Sequence, residues 1–122
     1  MQGLHITADL SGCPAASAPM SDAQALRRVC IDAVRAVGLT PVGELFHRFP
    51  APGGVTGVVL LAESHLAVYT WPEIGAVTLD AYVCNLSADN TVAAERLVER
   101  LISAFAPARV QRRQLRRGTD TA

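Results

Sequence analysis

The sequence predicts an α+β two-layer sandwich: an antiparallel β-sheet carrying two helices on one face. Three observations lead there. Strand-like runs follow one another through residues 41–84 and are joined by turns, which favours antiparallel neighbours. Only two stretches carry the apolar repeat of a helix, one before and one after that strand block. The chain has 122 residues, half of them hydrophobic, which suits one domain spanning 1–122 with a real core.

Each element follows in order. Residues 3–10 alternate as a first strand. Gly12 to Met20 is rich in Pro, Ala and Ser and reads as a loop. Ser21 with Gln24 forms a capping-box signature that opens a helix to about Val37, with Leu26, Val29, Cys30, Ala33 and Val37 on its apolar stripe. Gly38 occupies the left-handed position that ends such a helix. A strand runs from about Pro41 to Phe49, and Pro50-Ala51-Pro52-Gly53-Gly54 must turn. Val55 to Ala62 is nearly all apolar and reads as a central, buried strand. Ala67–Thr70 and Val77–Cys84 read as two more strands, punctuated by Pro72 and Gly75. Ser87 to Asn90 offers several N-caps for a second helix reaching about Phe105, striped by Ala94, Leu97, Val98, Leu101 and Phe105. Pro107 closes it, and the arginine-rich segment Arg109–Arg117 reads as a short edge strand.

Composition narrows the function. The formal charge balances to zero, which argues against an electrostatic nucleic-acid binder, and the arginine-rich tail lacks the aromatics of a base-stacking surface. No apolar run reaches membrane-spanning length, and the N-terminus lacks a basic segment followed by an apolar one, so no membrane partner or signal peptide is expected. Cys13, Cys30 and Cys84 are odd in number and scattered, as reduced thiols in the cytoplasm are. His5, His47 and His65 match no C-x-x-C or H-E-x-x-H spacing, so no metal is expected.

The chain contains no lysine; all 11 basic residues are arginine. Amine or carbonyl activation through a lysine Schiff base is therefore closed to it. Cleavage of the Glu63–Ser64 bond would supply a carbonyl instead. The Ser64 hydroxyl attacks the Glu63 carbonyl carbon and the amide becomes an ester. Loss of the Ser64 Cα proton expels the Glu63 carboxylate, and the dehydroalanine left behind hydrolyses to a ketone. On its own, Glu-Ser-His is also an ordinary polar strand end or turn.

Five separated blocks carry a resemblance. They are Gly3-Leu4-His5-Ile6-Thr7-Ala8-Asp9-Leu10 with Cys13; Phe46-His47-Arg48-Phe49; Gly54-Val55-Thr56-Gly57-Val58-Val59; the run from Glu63 through His65 and Tyr69 to Glu73; and Leu79-Asp80-Ala81-Tyr82-Val83-Cys84. In order and near spacing they resemble the short, prokaryotic type of S-adenosylmethionine decarboxylase proenzyme. The resemblance implies the same two-layer fold, a homodimer with active sites near the subunit interface, and a pyruvoyl cofactor derived from Ser64. That ketone would form an imine with the substrate α-amine and take up electrons as carbon dioxide leaves. Cys84 matches the family's proton donor, Glu73 the carboxylate that holds the ribose hydroxyls, and Phe49 the aromatic that stacks on adenine. A sulfonium favours an aromatic face, which Phe49 or Tyr82 would offer.

Three departures stand out. Tyr69 occupies the position of the family histidine expected to take the Ser64 Cα proton. A phenol, with an ordinary pKa near ~10, is roughly a thousandth ionised at neutral pH and makes a poor base. Thr56 replaces the usual serine and keeps the hydroxyl. The turn after Phe49 is about one residue longer than the family pattern. Slow or incomplete self-cleavage is thus expected, and His65, on the opposite strand face from Ser64, is a poor rescuer. Two alternatives keep the fold: a pyruvoyl-dependent ornithine or arginine decarboxylase, or an unprocessed, inactive homologue acting as a binding or regulatory subunit.

Overall fold

A computed structural model describes residues 1–119; the last three residues of the expected 1–122 domain lie outside the described residues. The chain runs β1 (Gln2–Ser11), α1 (Ala23–Ala36), β2 (Pro41–Arg48), β3 (Val55–Leu61), β4 (Ser64–Trp71), β5 (Ala76–Cys84), α2 (Thr91–Phe105) and β6 (Arg109–Gly118), with 3-10 turns at Ala18–Met20 and Pro72–Ile74. The strands form one sheet in the order β2-β3-β4-β5-β1-β6, every pair antiparallel.

Strand alternation divides that sheet into two unlike faces. Leu4, Ile6, Ala8 and Leu10 of β1, Val55, Val59 and Leu61 of β3, Leu66 and Val68 of β4, and Val77, Leu79, Ala81 and Val83 of β5 are buried in one core. Both helices complete it, α1 through Leu26, Cys30, Ile31, Ala33 and Val34, α2 through Ala94, Leu97, Val98, Leu101 and Phe105. The other face carries no helix. Burial pushes the Cys30 thiol up to about 12, with the Glu44 carboxylate adding to the effect, so it is a packed apolar group at neutral pH.

Several boundaries differ from expectation. The N-cap of α1 is Asp22, not Ser21: Asp22 Oδ1 accepts from the backbone N–H of Gln24 at 2.9 Å and of Ala25 at 3.3 Å. A carboxylate there also suits the positive end of the helix. At α2, Asn90 is the N-cap residue, but Asp89 Oδ1 accepts the Thr91 N–H; that bond holds the Asp89 carboxyl below its ordinary value. β4 begins at Ser64 rather than Ala67, because Leu61 pairs with Ser64 across a two-residue turn. β6 is not short; its ten residues pair along the whole of β1. β3 is not buried on both sides. Its alternate residues Thr56 and Val58 are half-buried and Leu60 is 49 % exposed, because no helix among the described residues covers them. No helix among the described residues is long and apolar enough to cross a membrane.

Thr70 is the one buried polar side chain among the described residues. Its Oγ1 donates to the Met20 carbonyl at 2.7 Å and accepts from the Val55 N–H at 2.8 Å. It thereby ties the loop before α1 to the start of β3. Gly54 packs directly on this point, where a Cβ would strike the Thr70 carbonyl oxygen. Thr70→Val, nearly isosteric, strands both backbone partners and is expected to cost about 1–3 kcal/mol; urea unfolding measures it.

Candidate active site

Ser64 opens β4 immediately after the turn Ala62–Glu63. Glu63 sits at φ 56°, the left-handed region, where a side chain clashes with its own backbone. The candidate scissile bond therefore follows a strained residue at the tip of a hairpin. On β5, Cys84 lies beside this tip. Its backbone N–H donates to Ser64 Oγ at 3.1 Å. That donor withdraws charge from the hydroxyl oxygen and favours its deprotonation.

A second layer of polar bonds fixes Cys84. Asn90 Nδ2 donates to the Cys84 carbonyl at 2.9 Å, and Asn85 Oδ1 accepts the Asn90 N–H at 2.7 Å. The Asn85 N–H in turn donates to the Gln2 carbonyl at 2.8 Å. Ser87–Asn90 reads in the sequence only as a run of candidate helix caps; that Asn90 faces backward onto Cys84 is a tertiary fact. Cys84 itself is buried and falls in step with the open-face positions of β5.

The other expected residues gather elsewhere. A cleft of about 350 Å³ is lined by Phe49, Gly53, Gly54, Thr56, Tyr69, Thr70, Trp71 and Glu73. Thr56 and Tyr69 are cross-strand partners on the open face, with His47 paired to Thr56 on its far side. Tyr69 stacks on Trp71, ring centroids 6.3 Å apart, and Phe49 meets His47 edge to face at 4.6 Å. Trp71 was missed as a lining residue. Its signal was in the sequence, two places after Tyr69 and so on the same strand face.

Within one chain the two groups stay apart. Tyr69 is five residues along β4 from Ser64, roughly 16 Å at strand rise, and on the opposite side of the pleat. Ser64, Glu63 and Cys84 lie at one end of β4, and Thr56, Tyr69, Glu73 and Phe49 at the other. Tyr69 of a given chain is out of reach of the Cα proton of its own Ser64.

A family model described as S-adenosylmethionine decarboxylase matches residues 4–118. The S-adenosylmethionine decarboxylase proenzyme of Picrophilus torridus is 37 % identical over 97 % of this chain and 85 % of its own length. That of Symbiobacterium thermophilum is 40 % identical over 96 % of this chain and 83 % of its own. The crystal structure of the adenosylmethionine decarboxylase from Aquifex aeolicus superposes with a TM-score of 0.84 at 35 % identity, covering 96 % of this chain and 91 % of that one.

Relief of the strain at Glu63 is measurable apart from any chemistry. With Ser64→Ala in both proteins, adding Glu63→Gly is expected to stabilise the intact chain by up to ~1 kcal/mol, since glycine accepts positive φ without penalty. Paired urea titrations give the difference. A destabilisation would mean that the Glu63 side chain outweighs the backbone term.

Proposed function

The chain belongs to the S-adenosylmethionine decarboxylase family, and we propose that it cuts itself between Glu63 and Ser64 and then decarboxylates S-adenosylmethionine to an aminopropyl donor for spermidine synthesis. The observation that carries this reading is the hairpin tip: a strained Glu63 followed by a Ser64 hydroxyl that accepts the Cys84 N–H. That arrangement fits a serine primed to attack the carbonyl before it. A pyruvoyl group at position 64 would supply the electron sink for the departing carboxylate.

The chain's own residues do the rest. Scission releases Ser64 from the turn and lets the new terminus reach the Cys84 side of the sheet. Cys84, its backbone clamped by Asn90, holds the proton that replaces the lost carboxylate. Glu73 accepts from the ribose hydroxyls. Phe49 and the Tyr69–Trp71 pair, on the same cleft, offer aromatic faces to a purine and to the sulfonium. The substrate's large nucleoside explains why such a cleft lies beside Glu73; ornithine and arginine have no use for it.

The separation of the two residue groups supports a homodimer. Leu45 is 69 % exposed and Leu60 49 %, alongside Tyr69 and Trp71, on the face that no helix covers. A second copy is the partner with the same apolar face. A twofold axis running between two such sheets and across their strands reverses the partner. The Ser64 end of one β4 then meets the Thr56, Tyr69 and Glu73 end of the other. Each site is shared between subunits, and the Ser64 Cα proton is opposed by the partner's Tyr69.

Two measurements test this. Intact-mass analysis of fresh protein is expected to show the uncut chain alongside fragments 1–63 and 64–122, the second blocked at its N-terminus. Tyr69→His should speed conversion at least tenfold. Protein that never cleaves, with or without that change, sinks the activity. For the shared site, co-expressed Ser64→Ala and Glu73→Gln chains should recover about one quarter of wild-type carbon dioxide release, since half the dimers are mixed and each holds one native site. Activity no higher than that of either variant alone would assign the site to one subunit.

A further inference from the structure

We infer that His5, His65 and Asp80 form a binding site for a divalent transition-metal ion of the zinc class. The residues come from β1, β4 and β5 and share the open face of the sheet. His5 and His65 are the register partners of Tyr82 on its two sides, and Asp80 stands two places before Tyr82. Asp80 Oδ2 accepts from His5 Nε2 at 2.9 Å and from His65 Nε2 at 3.0 Å. Two imidazole nitrogens and one carboxylate oxygen thus converge within 4.8 Å of one another.

The spacing suits an ion. Metal–ligand bonds of about 2.0–2.1 Å at tetrahedral angles put neighbouring ligand atoms roughly 3.3 Å apart; each histidine nitrogen already stands within a few tenths of an ångström of that from Asp80 Oδ2, and the two histidine nitrogens, within 4.8 Å of each other, draw together by rotation of the rings. Each neutral ring binds through Nε2 and carries its proton on Nδ1. Asp80 exchanges two N–H donors for one metal bond. A fourth position stays open. This donor set favours Zn²⁺, Co²⁺ or Ni²⁺ and is poor for Mg²⁺ or Ca²⁺, which want more oxygen ligands.

The rings are held ready without a metal. His5 and His65 flank Tyr82 with ring centroids 5.7 and 6.0 Å away, and meet each other edge to face at 6.0 Å. The three side chains are 21–35 % exposed, ordered yet reachable. A cleft of about 330 Å³, lined by His5, Thr7, Arg113, Gln114 and Leu115, gives entry at the β6 edge of the sheet. His65 is the register partner of Leu60, so a second copy laid on the open face borders the site on that side and leaves the β6 edge as the approach. The nearby guanidiniums are engaged elsewhere, Arg113 with Asp9 and Arg117 over the Tyr82 ring.

Because the chain has only three histidines, His47 on β2 is an internal control. Imidazole NMR signals of the purified wild-type protein are followed as Zn²⁺ is added at pH 7.5, then Mg²⁺ and Ca²⁺ separately. One equivalent of Zn²⁺ per chain should shift His5 and His65 and leave His47 unmoved, while Mg²⁺ and Ca²⁺ move none. Calorimetry should show at least tenfold weaker binding for His5→Gln and for Asp80→Asn, with His47→Asn unchanged. Equal response of all three histidines, or none from His5 and His65 because thiols take the zinc, overturns the site. So does full affinity in His5→Gln.

Discussion

One constraint organises the molecule: an antiparallel ladder has two faces, and here helices seal only one of them. Because alternate residues point opposite ways, choosing which residues of β4 enter the core also chooses which stand on the open face. Leu66 and Val68 go under the helices, so His65, Tyr69 and Trp71 must face out. The same rule puts Thr56 beside Tyr69 and brings His5, Asp80 and Tyr82 together. A one-residue slip in any central strand would bury these polar groups and expose the core.

The open face explains features that look costly in an isolated chain. β3 is apolar on both sides, yet only Val55, Val59 and Leu61 are covered by helices. Leu45 and Leu60 lie exposed on this face. In the proposed homodimer a second sheet laid on this surface would remove that apolar area from water and bring opposite ends of β4 together. Stability of that assembly and completion of the proposed site would then come from the same contact, so neither is expected without the other.

Local devices set the chemistry within that frame. Two non-glycine residues adopt positive φ, Glu63 at the β3–β4 turn and Ala106 at the end of α2, and only Glu63 adjoins the candidate site. Its neighbour Ser64 accepts the Cys84 N–H through Oγ, and the Asn90 side chain in the loop before α2 donates to the Cys84 carbonyl. At the opposite end, Thr70 and Gly54 close the floor of the cleft by direct contact of β4 with the start of β3. Ser64, Cys84, Thr56 and Tyr69 stand on strands, so their placement within one chain follows the sheet register.

Much of this was legible in sequence. Apolar periodicity in 26–37 and 94–105, the turn at 50–54 and the alternation of β1 and β5 predicted the layers, because those signals are local. The candidate residues Ser64, Cys84, Thr56, Tyr69, Glu73 and Phe49 came from the resemblance of five ordered blocks to the family. What sequence reading missed depends on pairings across many residues. Ser64 joins β4 because Leu61 pairs with it, and β6 runs its full length because all of β1 is available to it. The convergence of His5 and His65 on Asp80 joins residues 75 and 15 positions apart, a distance no linear motif spans. The split of the expected site into two ends of one strand likewise emerged only when the register was known, since linear spacing says nothing about which end of a sheet a side chain occupies.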